Sequence, residues 1–242
     1  MALLAAGADV RADLLADVRA SLARLTAREE IAATVTLETS RRSDDDQQPE
    51  IGRATVAAEH GPQGLRLTYS PELIARSRQE AREEDADPER PTPARTGMTR
   101  MDAAALLDSL DGAAVLARLM ESATQVKEQR VNAGGRVLRQ LTMTVKPKLS
   151  KADAKRVRSL EISLVVNVGD DAIPVSAERR QKLKAKFLLM TFENETLESW
   201  TYARTGDRLV ALRNVQRSSG SGMGQKFENT RTLTVALANG RP

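Results

Sequence analysis

The sequence predicts an α+β protein in which a curved antiparallel sheet wraps around helices, and three observations lead there. From Arg136 to Leu237, short runs such as Arg139–Val145 and Arg231–Leu237 alternate apolar and polar residues. That is the period-two pattern of strands that bury one face and wet the other. A second group of alternating runs lies near the start of the chain, and helical periodicity separates the two groups, the segregated order of the α+β class. The turns between runs are short enough for meanders. The expectation is about nine strands in an open half-barrel around three or four helices, with residues 9–242 forming one domain.

The elements follow in order. Met1–Ala8 is a short apolar stretch ending in Ala6-Gly7-Ala8 before Asp9, which resembles the end of a secretory signal. Export to a periplasm is therefore expected, with the cytoplasm as the alternative. From Asp9 to about Ala27, Val10, Leu14, Val18, Leu22 and Leu25 recur at helical spacing. Ile31–Leu37 switches to strand periodicity, and further strands are expected over about 53–59 and 65–69. Ser70-Pro71 marks a helix start, a capping hydroxyl followed by proline at the first helical position, and that helix is expected to reach about Asp85. The proline-rich stretch near 85–98 reads as an exposed, mobile linker. Met101 to about Lys127 is helical again, divided at Asp111-Gly112, and Gly134-Gly135 closes the helical part. Six strands then follow, at about 136–146, 159–168, 183–193, 196–204, 208–217 and 226–237. A short helix over 151–157 is capped by Ser150, hairpin turns fall at Glu193–Glu195 and Thr205–Asp207, and Ser218–Gly224 is a flexible loop.

Composition narrows the chemistry. The chain has 242 residues, no cysteine and one histidine, which removes disulfides, thiolate zinc sites and multi-histidine metal centres. His60, beside Gly61-Pro62, reads as a turn residue, and Asp44-Asp45-Asp46 lacks the spaced ligands and central glycine of a calcium loop. Gly220–Gly224 has a strand after it rather than the helix a phosphate loop needs. No catalytic residue, metal ligand or cofactor motif is named. Aromatic content of 2% argues against stacking on single-stranded nucleic acid.

Two features point to binding. Lys146–Arg158 holds six positive charges against one negative, and Arg179–Lys186 holds five with no acid. Lys146, Lys148, Arg179, Arg180 and Lys184 are candidates to meet an anionic head group or membrane surface; solvated strand edges are the other reading. Leu164–Val166 and Phe187–Phe192 are apolar on both strand faces, which implies cover on both sides. Leu164, Val166, Phe187, Leu189 and Trp200 would then line a cavity for a lipid or acylated protein, or form central strands beneath a helix.

The closing patterns Leu197–Tyr202, Gly206–Val210 and Phe227–Val235, with the order helix, strand meander, helices and long antiparallel run, resemble the lipoprotein-carrier superfamily of the bacterial periplasm. That resemblance implies an open half-barrel holding acyl chains, where burial would contribute about 0.8 kcal/mol per methylene. The expected function is thus non-catalytic binding of a hydrophobic or acyl-bearing ligand on the concave side of the sheet. A protein-interaction or envelope-stress sensor module, using the sheet as scaffold, is the alternative.

Overall fold

The computed structural model describes residues 13–46, 48–147, 149–187, 190–222 and 224–238. Helix α1 (Leu14–Ala23) leads into β1 (Ile31–Ser43), β2 (Glu50–Gly61) and β3 (Gly64–Tyr69). Four helices follow: α2 (Pro71–Ala86), α3 (Pro93–Thr99), α4 (Ala103–Leu110) and α5 (Gly112–Glu121). The chain then runs through β4 (Ala123–Ala133), β5 (Arg136–Val145), α6 (Lys151–Arg156) and β6 (Val157–Val168). It continues through β7 (Pro174–Phe187), β8 (Met190–Thr205), β9 (Arg208–Gly222) and β10 (Gln225–Leu237). All ten strands make one antiparallel sheet in the order β3-β2-β1-β10-β9-β8-β7-β6-β5-β4. The opening meander and the closing meander therefore join at one place, where β1 pairs with β10 from Ala33↔Leu237 to Ser43↔Phe227.

The expected half-barrel is absent: the sheet is open and not strongly curled. Bulges are what bend long strands, and the register shifts lie within a few residues of strand ends, at Thr124/Lys127, Val157/Ser159, Asn167/Val168 and Thr201/Tyr202. Helices cover one face. Leu14, Val18 and Leu22 of α1 and Leu116 and Met120 of α5 pack on Met143, Leu164, Val166 and Trp200. Leu106 and Leu110 of α4 pack on Val35, Leu37, Val56 and Leu233. Along β1 and β2 the inward residues from Ile31 to Thr39 and from Gly52 to Ala58 are buried and most of the outward ones exposed, as a half-wetted pleat requires.

Several boundaries differ from expectation, each for a local reason. The helix ends at Glu121 rather than near Lys127, and Ala123–Ala133 is a strand. Gly134 and Gly135, with φ of 58° and 77°, form the tight turn between β4 and β5, where only residues tolerating positive φ fit. The apolar run Phe187–Phe192 straddles the β7–β8 hairpin, so β7 begins at Pro174 and Glu193–Glu195 lies inside β8. Ser218–Gly222 is paired with β10 instead of looping freely. Residues 93–99 of the expected linker form α3, whose Ala94, Thr96 and Gly97 are buried. Thr92 makes no side-chain cap there. The buried Glu80 of α2 caps α3 instead, accepting from the Arg95 amide at 2.9 Å. The expected signal remnant, residues 1–8, lies outside the described residues.

One buried cation ties the α1–β1 connection to the sheet. Arg208 is 1% exposed. Its Nε donates to Glu29 O at 2.8 Å, its Nη2 donates to Ala27 O at 2.6 Å, and its Nη1 stands 2.9 Å from His60 Nδ1. The preceding Asp207 accepts from the amides of Arg28 and Glu29 and from Thr26 Oγ1, and these bonds hold its carboxyl below the usual range. Asp207 thus takes the donors of residues 26–29 and Arg208 takes the acceptors. His60 is a strand residue in β2 and not part of a turn. Burial first, then the Arg208 charge, push its pKa below the ordinary value, with Asp111 pulling the other way.

Replacing Arg208 with methionine orphans two carbonyls, so chemical denaturation should show a loss of about 3 kcal/mol. His60 is the only histidine. The unfolded chain protonates it near pH 6.5, whereas the folded protein resists until a lower pH, so stability is complete above about 6.5 and falls as pH drops below it. Urea unfolding between about pH 7 and 5.5 should show this slope in the parent and a flatter profile in His60→Gln.

Candidate functional site

The register of the inner face decides what the long strands present beyond the helices. One row across it reads Ala54, Leu37, Leu233, Asn214, Trp200 and Ala177, from β2 to β7, and is mostly apolar. The next reads Gly52, Thr39, Arg231, Gln216, Glu198 and Arg179. The row after that reads Glu50, Arg41, Asn229, Ser218, Thr196 and Gln181. All share the phase of the core-facing residues, because side chains two apart along a strand point the same way. The inner face is therefore divided into a dry half under α1, α4 and α5 and a polar half beyond them.

At the β1–β10 seam the polar half forms an open basin of about 540 Å³. Its floor holds Thr39, Arg41, Gln216, Ser218, Asn229 and Arg231, and the α3–α4 corner adds Arg100 and Asp102. Close approach of backbones puts that corner there. A Cβ at Gly97 would overlap the Arg53 backbone, and one at Gly52 would stand 2.5 Å from Thr39 Oγ1 and 2.9 Å from Thr96. Both glycines let α3 lie directly on β2. Arg100 is held at the rim by Glu50 at 2.7 Å, and Asp102 caps α4 by accepting from the Ala104 amide at 2.9 Å.

Three buried polar atoms in this one basin have no partner among the described residues: Thr39 Oγ1, Asn229 Oδ1 and Arg231 Nη2. Thr39 is 7% exposed. Buried polar groups are almost always bonded, since an unmade bond costs about 1–3 kcal/mol, and three such atoms together mark a place where a partner is expected. Burial draws the Arg231 pKa below its ordinary value, with Asp102 and Glu198 acting against this; it remains a cation. Neither Arg41 nor Arg231 makes an ion pair among the described residues. Beside the basin, Glu198 takes a bond from Asn214 at 2.9 Å and one from Arg179 at 2.8 Å, which fixes that wall.

The residues expected to bind ligand are dispersed. Leu164 and Val166 are completely buried and Trp200 is 7% exposed, all in the core beneath α1 and α5. They pack against helices in place of an open cavity. Phe187 ends β7, and Leu189 and Lys148 lie outside the described residues. Arg179 points inward to Glu198, while Arg180 and Lys184 point outward to Glu195 and Glu193. Alternation along β7 separates them, so they form no single cationic patch. The two basic stretches do reach the same end of the sheet, because Val157 pairs with Ala185. There Lys146, Arg180 and Lys182 border a second cleft of about 620 Å³ with Val145, Leu149, Leu160 and Ile162.

Arg41, Asn229 and Arg231 escaped the sequence reading. Their signal was present as polar residues continuing the inward phase of strands whose other inward positions, such as Leu37 and Leu233, are core. The chain matches no protein-family model and no curated protein. Among the described residues no group of three or more histidine or acidic side chains is arranged to hold a metal.

Two substitutions test this geometry. Thr39→Val removes an unpartnered buried hydroxyl at nearly constant volume and should raise stability by about 1 kcal/mol in urea unfolding. Gly97→Ala must lift α3 from β2, so amide exchange should rise in α3 and at the Arg100–Asp102 corner more than in β5–β8.

Proposed function

We propose that this protein is a non-catalytic binding protein that holds a water-soluble, anion-bearing ligand in the basin at the β1–β10 seam. The observation that carries the reading is the cluster of partnerless buried atoms on Thr39, Asn229 and Arg231. Arg41 and Arg231, neither of them in an ion pair among the described residues, supply positive charge, and Arg100 adds a donor at the rim. Charge-assisted bonds from guanidinium to an oxyanion are among the stronger ones available to a half-buried site. The size suits a small molecule, within the usual range of ligand cavities. No nucleophile with an adjacent base stands among the residues of this basin, so capture and release are the chemistry they supply.

Calorimetric titration with small oxyanions at fixed ionic strength tests this. Saturable binding should occur in the parent and in Lys146→Met, and fall about tenfold or more in Arg231→Met. Equal binding by Arg231→Met, or a response that follows salt concentration alone, would place the anion elsewhere.

The second cleft supports the acyl-ligand reading at a different address from the one the sequence suggested. Leu149 is 42% exposed there, beside Lys146, Arg180 and Lys182. This combination of apolar floor and cationic rim fits an anionic amphiphile. Native mass spectrometry of protein purified from a bacterial host, followed by lipid extraction, distinguishes the two. Bound lipid lost in Leu149→Glu and retained in Arg231→Met favours the cleft; a lipid-free mass leaves the basin.

A further inference from the structure

The basin chemistry narrows the ligand class beyond an anion, and this step rests on the reading just given. A bare inorganic oxyanion accepts hydrogen bonds and, when fully ionised, donates none. Arg41, Arg100 and Arg231 suit it. The remaining groups do not. Asn229 presents a buried, unbonded carbonyl oxygen, an acceptor in need of a donor. Asp102 places a carboxylate at the same basin, close enough to act on the Arg231 charge. Gln216 and Thr39 can each both donate and accept, and Ser218, whose hydroxyl donates to Asn194 Oδ1 at 3.1 Å, can accept. Inorganic sulfate, fully ionised near neutral pH and without a proton to donate, would leave the Asn229 oxygen unmatched when seated on the arginines and put Asp102 against like charge, which is unfavourable.

A ligand that joins one anionic group to several hydroxyls meets every one of these requirements. Its anion faces Arg41 and Arg231, and its hydroxyls donate to Asn229 Oδ1 and Asp102. The same hydroxyls accept from or donate to Thr39 and donate to Ser218 Oγ. We therefore infer that the basin takes a polyhydroxylated anion, such as a sugar acid or a sugar phosphate. The basin of about 540 Å³ accommodates a ligand of one or two sugar rings within the common range of small-molecule sites. No aromatic side chain lines it, so recognition runs through hydrogen bonds and charge and not through stacking on a ring face.

The test is calorimetry on the full chain with D-glucuronate, glucose 6-phosphate, inorganic sulfate and glucose, all at one ionic strength near neutral pH. At least one of the two sugar anions should bind about tenfold or more tightly than both sulfate and glucose. Asn229→Leu should bring its affinity down to that of sulfate while leaving sulfate binding unchanged, whereas Arg231→Met should weaken both. Ser218→Ala serves the same comparison should Asn229→Leu fail to fold. Sulfate binding as tightly as both sugar anions, or an Asn229→Leu effect equal on sulfate and sugar anion, overturns the hydroxylated-ligand inference and leaves the anion site standing. Absence of binding by every anion overturns both.

Discussion

The pairing of β1 with β10 is the interaction on which the rest depends. Each meander is held internally by hairpins between neighbours in sequence, and such hairpins need little beyond a turn and a few cross-strand pairs. Only the seam joins the two meanders into one sheet, through eleven successive residue pairs of β1 and β10. Val35 faces Val235 and Leu37 faces Leu233 there, all buried under α4. Because a one-residue slip would turn every one of these outward, burial fixes the register. The same register then sets Thr39 beside Arg231 and Arg41 beside Asn229. Core packing at one end of the seam thus aligns the polar groups at the other.

The Asp207–Arg208 pair extends this dependence to the N-terminal connection. Segment 26–29 is irregular, so its amides and carbonyls have no ladder to join and take other partners. Two adjacent residues of opposite charge at the start of β9 provide them. Arg208 also reaches His60 of β2, so one side chain touches the α1–β1 connection and the opening meander from a base in the closing one. A buried cation satisfied mainly by carbonyls, with no carboxylate bonded to it, depends on each of those acceptors.

How far the sequence could be read follows from which rules act locally. Ser70-Pro71, Ser150 and Asp111-Gly112 marked helix boundaries because capping is a matter of neighbouring backbone. Alternation located most of the closing strands and their inward faces. The β7–β8 hairpin was missed because its apolar residues continue through the reversal without an expected glycine or proline. Residues 93–99 looked like part of a linker because Pro88, Pro91 and Pro93 dominate the stretch 85–98, yet α3 is held by distant partners, Glu80 and the bare backbone beside Gly52. Curvature was expected because a sheet curling around the central helices would bury both the alternating strand faces and the helical stripe. An open sheet covered by helices on one face buries them as well, and the periodicity does not specify how strongly a sheet coils. The basin was visible only in fragments. Arg41 and Asn229 each resemble ordinary surface residues until the seam register sets them side by side.

The seam has a consequence for the order of events in synthesis. Its two strands are separated by nearly the whole chain, with Ala33 meeting Leu237. Closing so distant a contact is slow, since the entropy of the long intervening loop is spent before any contact rewards it. On the ribosome, β1 must wait with one edge unpaired while residues through Leu237 are made and released. An unpaired strand edge invites association with other chains. The outward face of β1, with Thr34, Thr36 and the charged Glu38, lowers its attraction for a stranger during that interval. Chains interrupted before β10 would carry the two meanders unjoined and would lack Asn229 and Arg231, the β10 share of the basin floor.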